Sequence, residues 1–140
     1  MFHFEINLIG FSLGTHVIKH CLKELYKYNN INNKNFTKLK NVILIAGATH
    51  ISGNKLWKQY IENFIIDRFI NCYSEADKVL SFAYNMCMSK KAVGSGELII
   101  EDDNGNNMVK NYDFTPENFG HTTYNYEILI KKLFPNYKDI

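Results

Sequence analysis

The feature that most constrains this chain is a Gly-x-Ser-x-Gly sequence between an apolar run and an amphipathic run. Residues 6–9 are apolar except for Asn7, and Gly10, Ser12 and Gly14 follow them. Residues 13–28 carry apolar side chains at helical spacing. A serine on a sharp strand-to-helix turn needs neighbours without bulk, because the backbone doubles back on itself there. The sequence therefore predicts a nucleophile elbow, with Gly10 and Gly14 supplying the space.

Ser12 has two interpretations on such a turn. As a nucleophile, its hydroxyl would project clear of the sheet, and the backbone N–H of Leu13 would face a developing oxyanion. As a helix N-cap, the same hydroxyl would only bond the first turn of the helix, since serine is favoured at that position. The flanking strand and helix favour the first interpretation, because this context distinguishes an elbow from a chance match.

Composition narrows the class of protein. The 140 residues are 46% hydrophobic, which is enough for the core of one domain, residues 1–140. The net charge of +2 indicates no nucleic-acid partner. No secretory signal and no stretch of the ~18 to 20 apolar residues that span a bilayer is present, so we expect a soluble, intracellular chain. Cys21, Cys72 and Cys87 lie far apart in apolar contexts, which predicts reduced core thiols.

The order of the remaining segments predicts an α/β fold, with a parallel sheet flanked by helices. Residues 41–47 form a continuous apolar run rich in β-branched side chains, which is typical of a strand buried on both faces. Further strands are predicted at residues 68–73 and 108–114, a short strand or lid segment at 98–100, helices at 55–66, 78–89 and 122–134, and loops at 28–35 and 101–107.

A serine nucleophile requires a base within hydrogen-bond reach and a carboxylate that orients the base. Asp77 follows the third predicted strand and His121 follows the last one. Both would emerge with Ser12 at the C-terminal edge of one parallel sheet, where ligands bind in such folds. The chain order Ser, Asp, His is also the order in α/β hydrolases. Ser12, Asp77 and His121 are therefore the predicted catalytic residues.

Other interpretations of these positions stay open. Asp77 could simply cap the helix that it opens, and Glu75 is a rival carboxylate in the same loop. Asp67 is a weaker rival, because it precedes its strand and would lie at the wrong edge of the sheet. His121 could be a helix-start residue without a partner. His50 follows the second predicted strand, so it could lie near the site or be a loop residue with no catalytic role.

Two features resemble metal sites without the full set of ligands. His16 and His20 are four residues apart on the first helix, but no third ligand stands nearby. Residues 101–107 resemble a calcium loop but lack its spacing and its terminal Glu. The sequence therefore predicts no metal and no cofactor.

Four segments together resemble one protein family. They are residues 8–14, 41–47, 71–80 and 120–121. This set is similar to the transmembrane and coiled-coil domain-containing family of hydrolase-like proteins, a domain-of-unknown-function family. The most specific match is the run Asn-Cys-Tyr-Ser followed by Asp-x-Val-Leu, which ends at Leu80. The resemblance covers nearly the whole chain.

The resemblance implies an α/β-hydrolase fold, lipase or esterase activity on an ester or lipid, and catalytic roles for Ser12, Asp77 and His121. It implies membrane-spanning segments outside this chain, and hence membrane association of a longer protein. It also implies that the N-terminal strands are missing, together with the second oxyanion donor. The strand at residues 6–9 would then expose an edge to a partner chain. The alternative function is a catalytically inactive, hydrolase-like module for membrane association or trafficking.

Overall fold

In the computed structural model, the chain forms a four-stranded parallel sheet with helices packed on both faces. The structure describes residues 5–32 and 38–136. The strands are β1 (Ile6–Phe11), β2 (Leu39–Ile45), β3 (Ile65–Tyr73) and β4 (Val109–Asp113). The helices are α1 (Gly14–Asn32), α2 (Asn54–Phe64), α3 (Asn85–Met88) and α4 (Tyr126–Leu133), with a π-helix at Val79–Tyr84 and a 3-10 turn at Val93–Ser95. The predicted α/β fold with a parallel sheet flanked by helices is confirmed.

The strands lie in the order β1-β2-β3-β4, and each neighbouring pair is parallel. β2 occupies the centre and is buried at every position except Lys40, as its continuous apolar run predicts. Because all four strands point the same way, their C-terminal ends meet at one edge of the sheet. The loops that follow β1, β3 and β4 therefore converge there.

Two apolar clusters cover the two faces of the sheet. On one face, α1 and α2 pack Leu22, Trp57 and Phe64 against the strands. On the other face, α4 packs Leu129 and Leu133 among aromatic side chains that follow β4. Successive side chains along a strand point to opposite faces of the sheet, so the strands contribute residues to both clusters. The result is a three-layer arrangement that fixes the C-terminal ends of the strands.

β1 lies at one edge of the sheet. Within residues 5–32 and 38–136, it pairs with β2 alone. Ile9 on this strand is 63% exposed, which is unusual for an apolar residue at the middle of a parallel sheet strand. The outer side of β1 therefore presents both unpaired backbone groups and apolar side chains.

Four segments differ from the sequence-based expectation. The helix predicted at 55–66 ends at Phe64 and the strand predicted at 68–73 begins at Ile65, so residues 65–67 belong to the strand. Helix α1 continues to Asn32 through part of the predicted loop at 28–35, of which residues 33–35 lie outside the described residues. Residues 98–100 form no strand, because the Asn111 and Asn107 side chains accept hydrogen bonds from the Leu98 and Ile100 backbones. Helix α4 begins later than predicted.

The start of α4 is set by a cap rather than by apolar spacing. The Asn125 side chain accepts hydrogen bonds from the backbones of Glu127 and Ile128, so the first helical turn begins after Asn125. His121 consequently lies in the loop before this helix, and not at its first turn.

The prediction of three core thiols is wrong for two of them. Cys72 is fully buried on β3, and burial raises its pKa to about 12. Cys21 and Cys87 are exposed on α1 and α3. Apolar neighbours in the sequence did not indicate burial here, because both residues lie on the solvent sides of their helices.

Candidate active site

Ser12 occupies the turn between β1 and α1 in a left-handed backbone conformation, with φ of 53°. Its backbone N–H donates to the Ile45 carbonyl at 2.9 Å, and its carbonyl accepts from the Ala48 N–H at 3.1 Å. The Thr15 hydroxyl donates to the same carbonyl at 2.6 Å. A non-glycine residue in this conformation is strained, and these hydrogen bonds hold it there. This is the sharp strand-to-helix turn that the sequence predicts.

The two elbow glycines differ in what they contribute. A Cβ on Gly10 would lie 2.9 Å from the backbone carbon and oxygen of Gly14 and 2.8 Å from the Ile18 side chain. A Cβ on Gly14 would meet nothing within 4 Å. The predicted requirement for a residue without a side chain therefore holds at Gly10 but not at Gly14. Gly14 contributes its backbone, which lies too close to Gly10 for a side chain there.

This difference gives a matched pair of variants. Gly10→Ala should lower the free energy of unfolding by about 1–3 kcal/mol, since the new methyl group overlaps backbone that cannot move without opening the elbow. Gly14→Ala should leave stability unchanged or raise it by up to about 1 kcal/mol, because alanine is favoured over glycine in a helix. Urea unfolding of both variants measures the difference. Equal stability of the two variants would contradict this account of the turn.

The structure brings Ser12, His121 and Asp77 together in one chain of hydrogen bonds. Ser12 Oγ lies 2.7 Å from His121 Nε2, and His121 Nδ1 lies 2.8 Å from Asp77 Oδ2. The three residues follow β1, β4 and β3, so the convergence is a product of the parallel sheet. The Ser12 hydroxyl is directed at the imidazole rather than at the first turn of α1, which argues against the N-cap interpretation.

Asp77 has two structural tasks. Its Oδ1 accepts a hydrogen bond from the Leu80 backbone at 3.1 Å, so it does cap the following helical segment, while Oδ2 faces His121. Asp77 is fully buried, and the imidazole side chain is 15% exposed. A buried carboxyl group that faces an imidazole nitrogen at this distance fixes the orientation of the ring.

The rival carboxylates lie elsewhere. Glu75 is exposed, and its contact in the loop is a backbone N–H that donates to Thr115 Oγ1. Asp67 does not precede its strand, as the sequence predicted, but lies within β3 near its beginning. There it pairs with Arg68, at the edge of the sheet opposite to the triad. Asp77 is therefore the carboxylate that the fold presents to His121.

The backbone N–H of Leu13 is available at the elbow. It has no hydrogen-bond acceptor among residues 5–32 and 38–136, and the Leu13 side chain is 70% exposed. An N–H at the start of a helix carries a partial positive charge that attracts an anion. It can therefore serve as a donor to an oxygen that gains negative charge at a carbon bonded to Ser12 Oγ.

Two aromatic residues that the sequence did not single out border the imidazole. The Phe11 ring centroid lies 5.7 Å from that of His121, and the Tyr124 ring packs edge-on against Phe11 at 6.0 Å. Burial raises the pKa of Tyr124, whose hydroxyl has no hydrogen-bond partner in the described structure. Phe11 therefore covers one side of the His121 ring, and Tyr124 supports Phe11 from behind. No pattern in the sequence distinguishes them from ordinary core residues.

Among the described residues, His16, His20 and His50 do not join this chain of hydrogen bonds. His50 lies after β2, where its Nε2 is 3.3 Å from Lys90 Nζ and its carbonyl accepts from Lys19 Nζ at 2.7 Å. His16 and His20 approach each other with their Nε2 atoms 3.1 Å apart. Within the part of the chain that the structure describes, no group of three or more His, Cys, Asp or Glu side chains has the geometry of a metal site.

Several known proteins are similar to most of this chain. The chain is 32% identical over 120 residues to an uncharacterised membrane protein of Caenorhabditis elegans and 30% identical over 120 residues to one of Schizosaccharomyces pombe. It is 29% identical over 119 residues to a transmembrane and coiled-coil domain-containing protein of Oryza sativa subsp. japonica. These alignments cover 85% of this chain but only 18%, 19% and 16% of the respective relatives, so the chain spans less than a fifth of their length.

The relatives are named as membrane proteins, whereas none of the helices in residues 5–32 and 38–136 is both long and apolar enough to cross a bilayer. No solved structure matches the chain. A family model described as protein of unknown function DUF726 matches residues 4–136. The chain therefore belongs to the DUF726 family.

Proposed function

We propose that this chain is the catalytic part of a serine ester hydrolase of the α/β-hydrolase superfamily. The observation that carries the proposal is the continuous pair of hydrogen bonds, Ser12 Oγ to His121 Nε2 at 2.7 Å and His121 Nδ1 to Asp77 Oδ2 at 2.8 Å. Three residues far apart in the sequence converge at the C-terminal edge of a parallel sheet, with the serine on a strained elbow. This combination of roles and geometry is how such triads are recognised.

The reaction would proceed in two halves. His121 Nε2 accepts the proton of Ser12 Oγ as this oxygen attacks the carbonyl carbon of the ester, and the carbonyl electron pair moves to an oxygen that faces the Leu13 N–H. When the tetrahedral intermediate collapses, the imidazolium donates its proton to the leaving alcohol and an acyl-serine remains. A water molecule then attacks the acyl group with His121 as base, and the acid and the free serine are released.

Asp77 would keep the His121 imidazole in the tautomer that both halves of the reaction require. An ionised carboxylate only accepts hydrogen bonds, so it keeps the proton on Nδ1 and leaves the Nε2 lone pair for Ser12. It also stabilises the imidazolium that forms in each half of the reaction. This chemistry requires no metal or cofactor. The names of the relatives as membrane proteins favour a lipid ester as the substrate class.

The experiment that tests the proposal is covalent labelling with a fluorophosphonate, which traps an activated serine. The purified chain should gain the mass of one probe, and peptide mapping should locate the adduct on Ser12. Prior denaturation should abolish labelling, because the activation depends on His121 and not on serine alone. No adduct on the native chain, or an adduct on another serine, would overturn the proposal.

A second candidate function is supported by the outer side of β1. Ile9 on this strand is 63% exposed, and Leu13 and Val17, at the elbow and in the first turn of α1, are 70% and 68% exposed. A groove of about 410 Å³ beside Ile9 extends across the face of the sheet, where it is lined by residues of β1, β2 and β3 and by Phe134. We propose that another segment of a longer polypeptide covers this side as a further strand, and that the chain can act as an interaction module even without catalysis. The greater length of the relatives supports such a segment.

The second candidate predicts self-association of the isolated chain. An uncovered parallel edge with apolar side chains should pair between copies, so sedimentation equilibrium should show a mass that increases with concentration. Ile9→Lys should restore the monomer, because a lysine on an edge strand opposes pairing. Ile130→Lys, at an exposed position on α4, is the matched control and should have no effect. A chain that is monomeric at all concentrations and unfolds cooperatively would rule out this second function.

A further inference from the structure

The helical segment that follows Asp77 carries an apolar surface on its solvent side. Leu80 is the residue that anchors the segment in the core, with 1% exposure. The exposed residues from Val79 to Met88 are all apolar, and we refer to them as the apolar face: Val79, Phe82, Ala83, Met86, Cys87 and Met88. Phe82 and Met86 are each 67% exposed. Single exposed apolar residues are ordinary, but six within ten residues form a patch that indicates an interaction site.

The polarity of this segment is the reverse of that of an ordinary surface helix. Its polar residues face inward, where Asn85 donates to the Ser81 carbonyl at 3.0 Å and accepts from the Ala92 backbone at 3.0 Å. A helix on a water-exposed surface normally directs its polar side chains outward. The hydrogen bond from the Ala92 backbone to Asn85 ties the segment to the following loop, and the buried Leu80 side chain anchors it in the core. The apolar face is thus a fixed feature of the fold.

Lysines flank the apolar face at both ends. Lys78 precedes it, and Lys90 and Lys91 follow it, all of them exposed. Lys90 also joins a group of basic side chains on neighbouring elements, since its Nζ lies 3.3 Å from His50 Nε2 and Lys19 Nζ donates to the His50 carbonyl at 2.7 Å. We refer to Lys19, His50 and Lys90 as the basic cluster.

Electrostatics within the basic cluster indicate an anionic partner. Burial, and then repulsion from Lys90 and Lys23, lowers the pKa of Lys19. The pKa of His50 is also lowered, mainly by burial and to a smaller extent by the charges of Lys19 and Lys90. No carboxylate contributes to either shift, and the nearby Glu24 is already paired with Lys27 at 2.7 Å. An anion placed beside the cluster would relieve this repulsion.

We propose that the apolar face docks on a membrane surface that contains anionic lipids. The apolar side chains enter the interfacial layer of the bilayer, and the basic cluster with Lys78 and Lys91 contacts the lipid phosphates. Apolar side chains combined with flanking lysines are the pattern of an interfacial helix, and the lysines supply charge complementarity that a purely apolar protein partner would not require. The segment that carries the apolar face begins two residues after Asp77, so the triad would lie close to the lipid–water boundary.

This inference deepens the proposed function, because it makes a lipid ester within a membrane the substrate. It is nevertheless measurable without turnover. The purified chain should sediment with vesicles of phosphatidylcholine and phosphatidylserine and bind much more weakly to vesicles of phosphatidylcholine alone. Binding should weaken as salt is raised, and each neutralised lysine should cost roughly fivefold in affinity.

The decisive variant is Phe82→Ser combined with Met86→Ser, which should reduce binding to the mixed vesicles at least tenfold. Both side chains are exposed, so we expect the fold to be retained, and a thermal melt checks this. Ile66→Ser is the matched control, because Ile66 has the same 67% exposure but lies at the opposite edge of the sheet. Equal binding by the double variant and the control, or no binding by the unmodified chain, would overturn the proposal.

The two exposed cysteines can report which surface of the chain a membrane covers. Cys87 belongs to the apolar face, whereas Cys21 lies on α1, about 200° around the helix from Lys19. Anionic vesicles should protect Cys87 from a charged maleimide and leave Cys21 reactive. Protection of Cys87 without vesicles, increasing with protein concentration, would show an interface between copies and refute membrane docking. Vesicle binding by a chain that takes no fluorophosphonate would refute the hydrolase and retain the docking surface.

Discussion

Ser12→Ala is expected to lower kcat for hydrolysis of a short-chain ester by roughly 10⁴- to 10⁶-fold and to abolish fluorophosphonate labelling. The effect is large because the Ser12 oxygen is the atom that would form the acyl bond, and the His121 imidazole has no other hydroxyl within hydrogen-bond distance among the described residues. A water-soluble ester should be used, so that membrane docking does not enter the measurement.

The matched control is Ser52→Ala, at an exposed position before α2, which should keep full activity and labelling. Activity that survives in Ser12→Ala would show that a contaminating hydrolase or another residue performs the reaction.

Position 12 also offers a test of stability, because Ser12 is held at φ of 53°. Ser12→Gly should be as inactive as Ser12→Ala but more stable by about 1 kcal/mol, because glycine adopts this conformation without strain.

Much of the site could be predicted from the sequence, because its chemistry depends on chain order and on strand direction. In a parallel sheet, residues that follow different strands emerge at the same edge, so the approach of Asp77 and His121 to Ser12 required only correct strand assignments. Those assignments were reliable because apolar residues predominate toward the C-terminal ends of β1, β2 and β3. The catalytic roles of the three residues remain predictions.

What could not be predicted depended on tertiary packing. The difference between Gly10 and Gly14 arises from how closely the start of α1 returns to β1, and no spacing in the sequence encodes it. The start of α4 depends on the orientation of the Asn125 side chain. The exposure of Cys87 depends on the inverted orientation of its helical segment. Apolar spacing correctly located that helix, but it suggested burial for residues that in fact face outward.

Asp77→Asn is expected to lower kcat by about 10⁴-fold while the fold is retained. The amide has nearly the same shape as the carboxylate, and its oxygen can still accept the hydrogen bond from the Leu80 backbone. Its NH₂ group, however, would donate to His121 Nδ1. The proton of the imidazole would then move to Nε2, which could no longer accept the proton of Ser12. Activity is thus lost because the imidazole is held in the wrong tautomer. The rate of fluorophosphonate labelling should fall by a similar factor as kcat.

Two carboxylates at the same edge of the sheet serve as controls. Asp113 accepts a hydrogen bond from the Thr115 backbone after β4, so Asp113→Asn makes the same chemical change in a turn that does not contact His121. Glu75→Gln tests the rival carboxylate of the Asp77 loop. Both variants should retain kcat within a few-fold, with kcat, labelling rate and thermal midpoint measured for each. A large loss in Glu75→Gln with activity retained in Asp77→Asn would transfer the orienting role to Glu75, and the buried position of Asp77 would then reflect its helix cap alone.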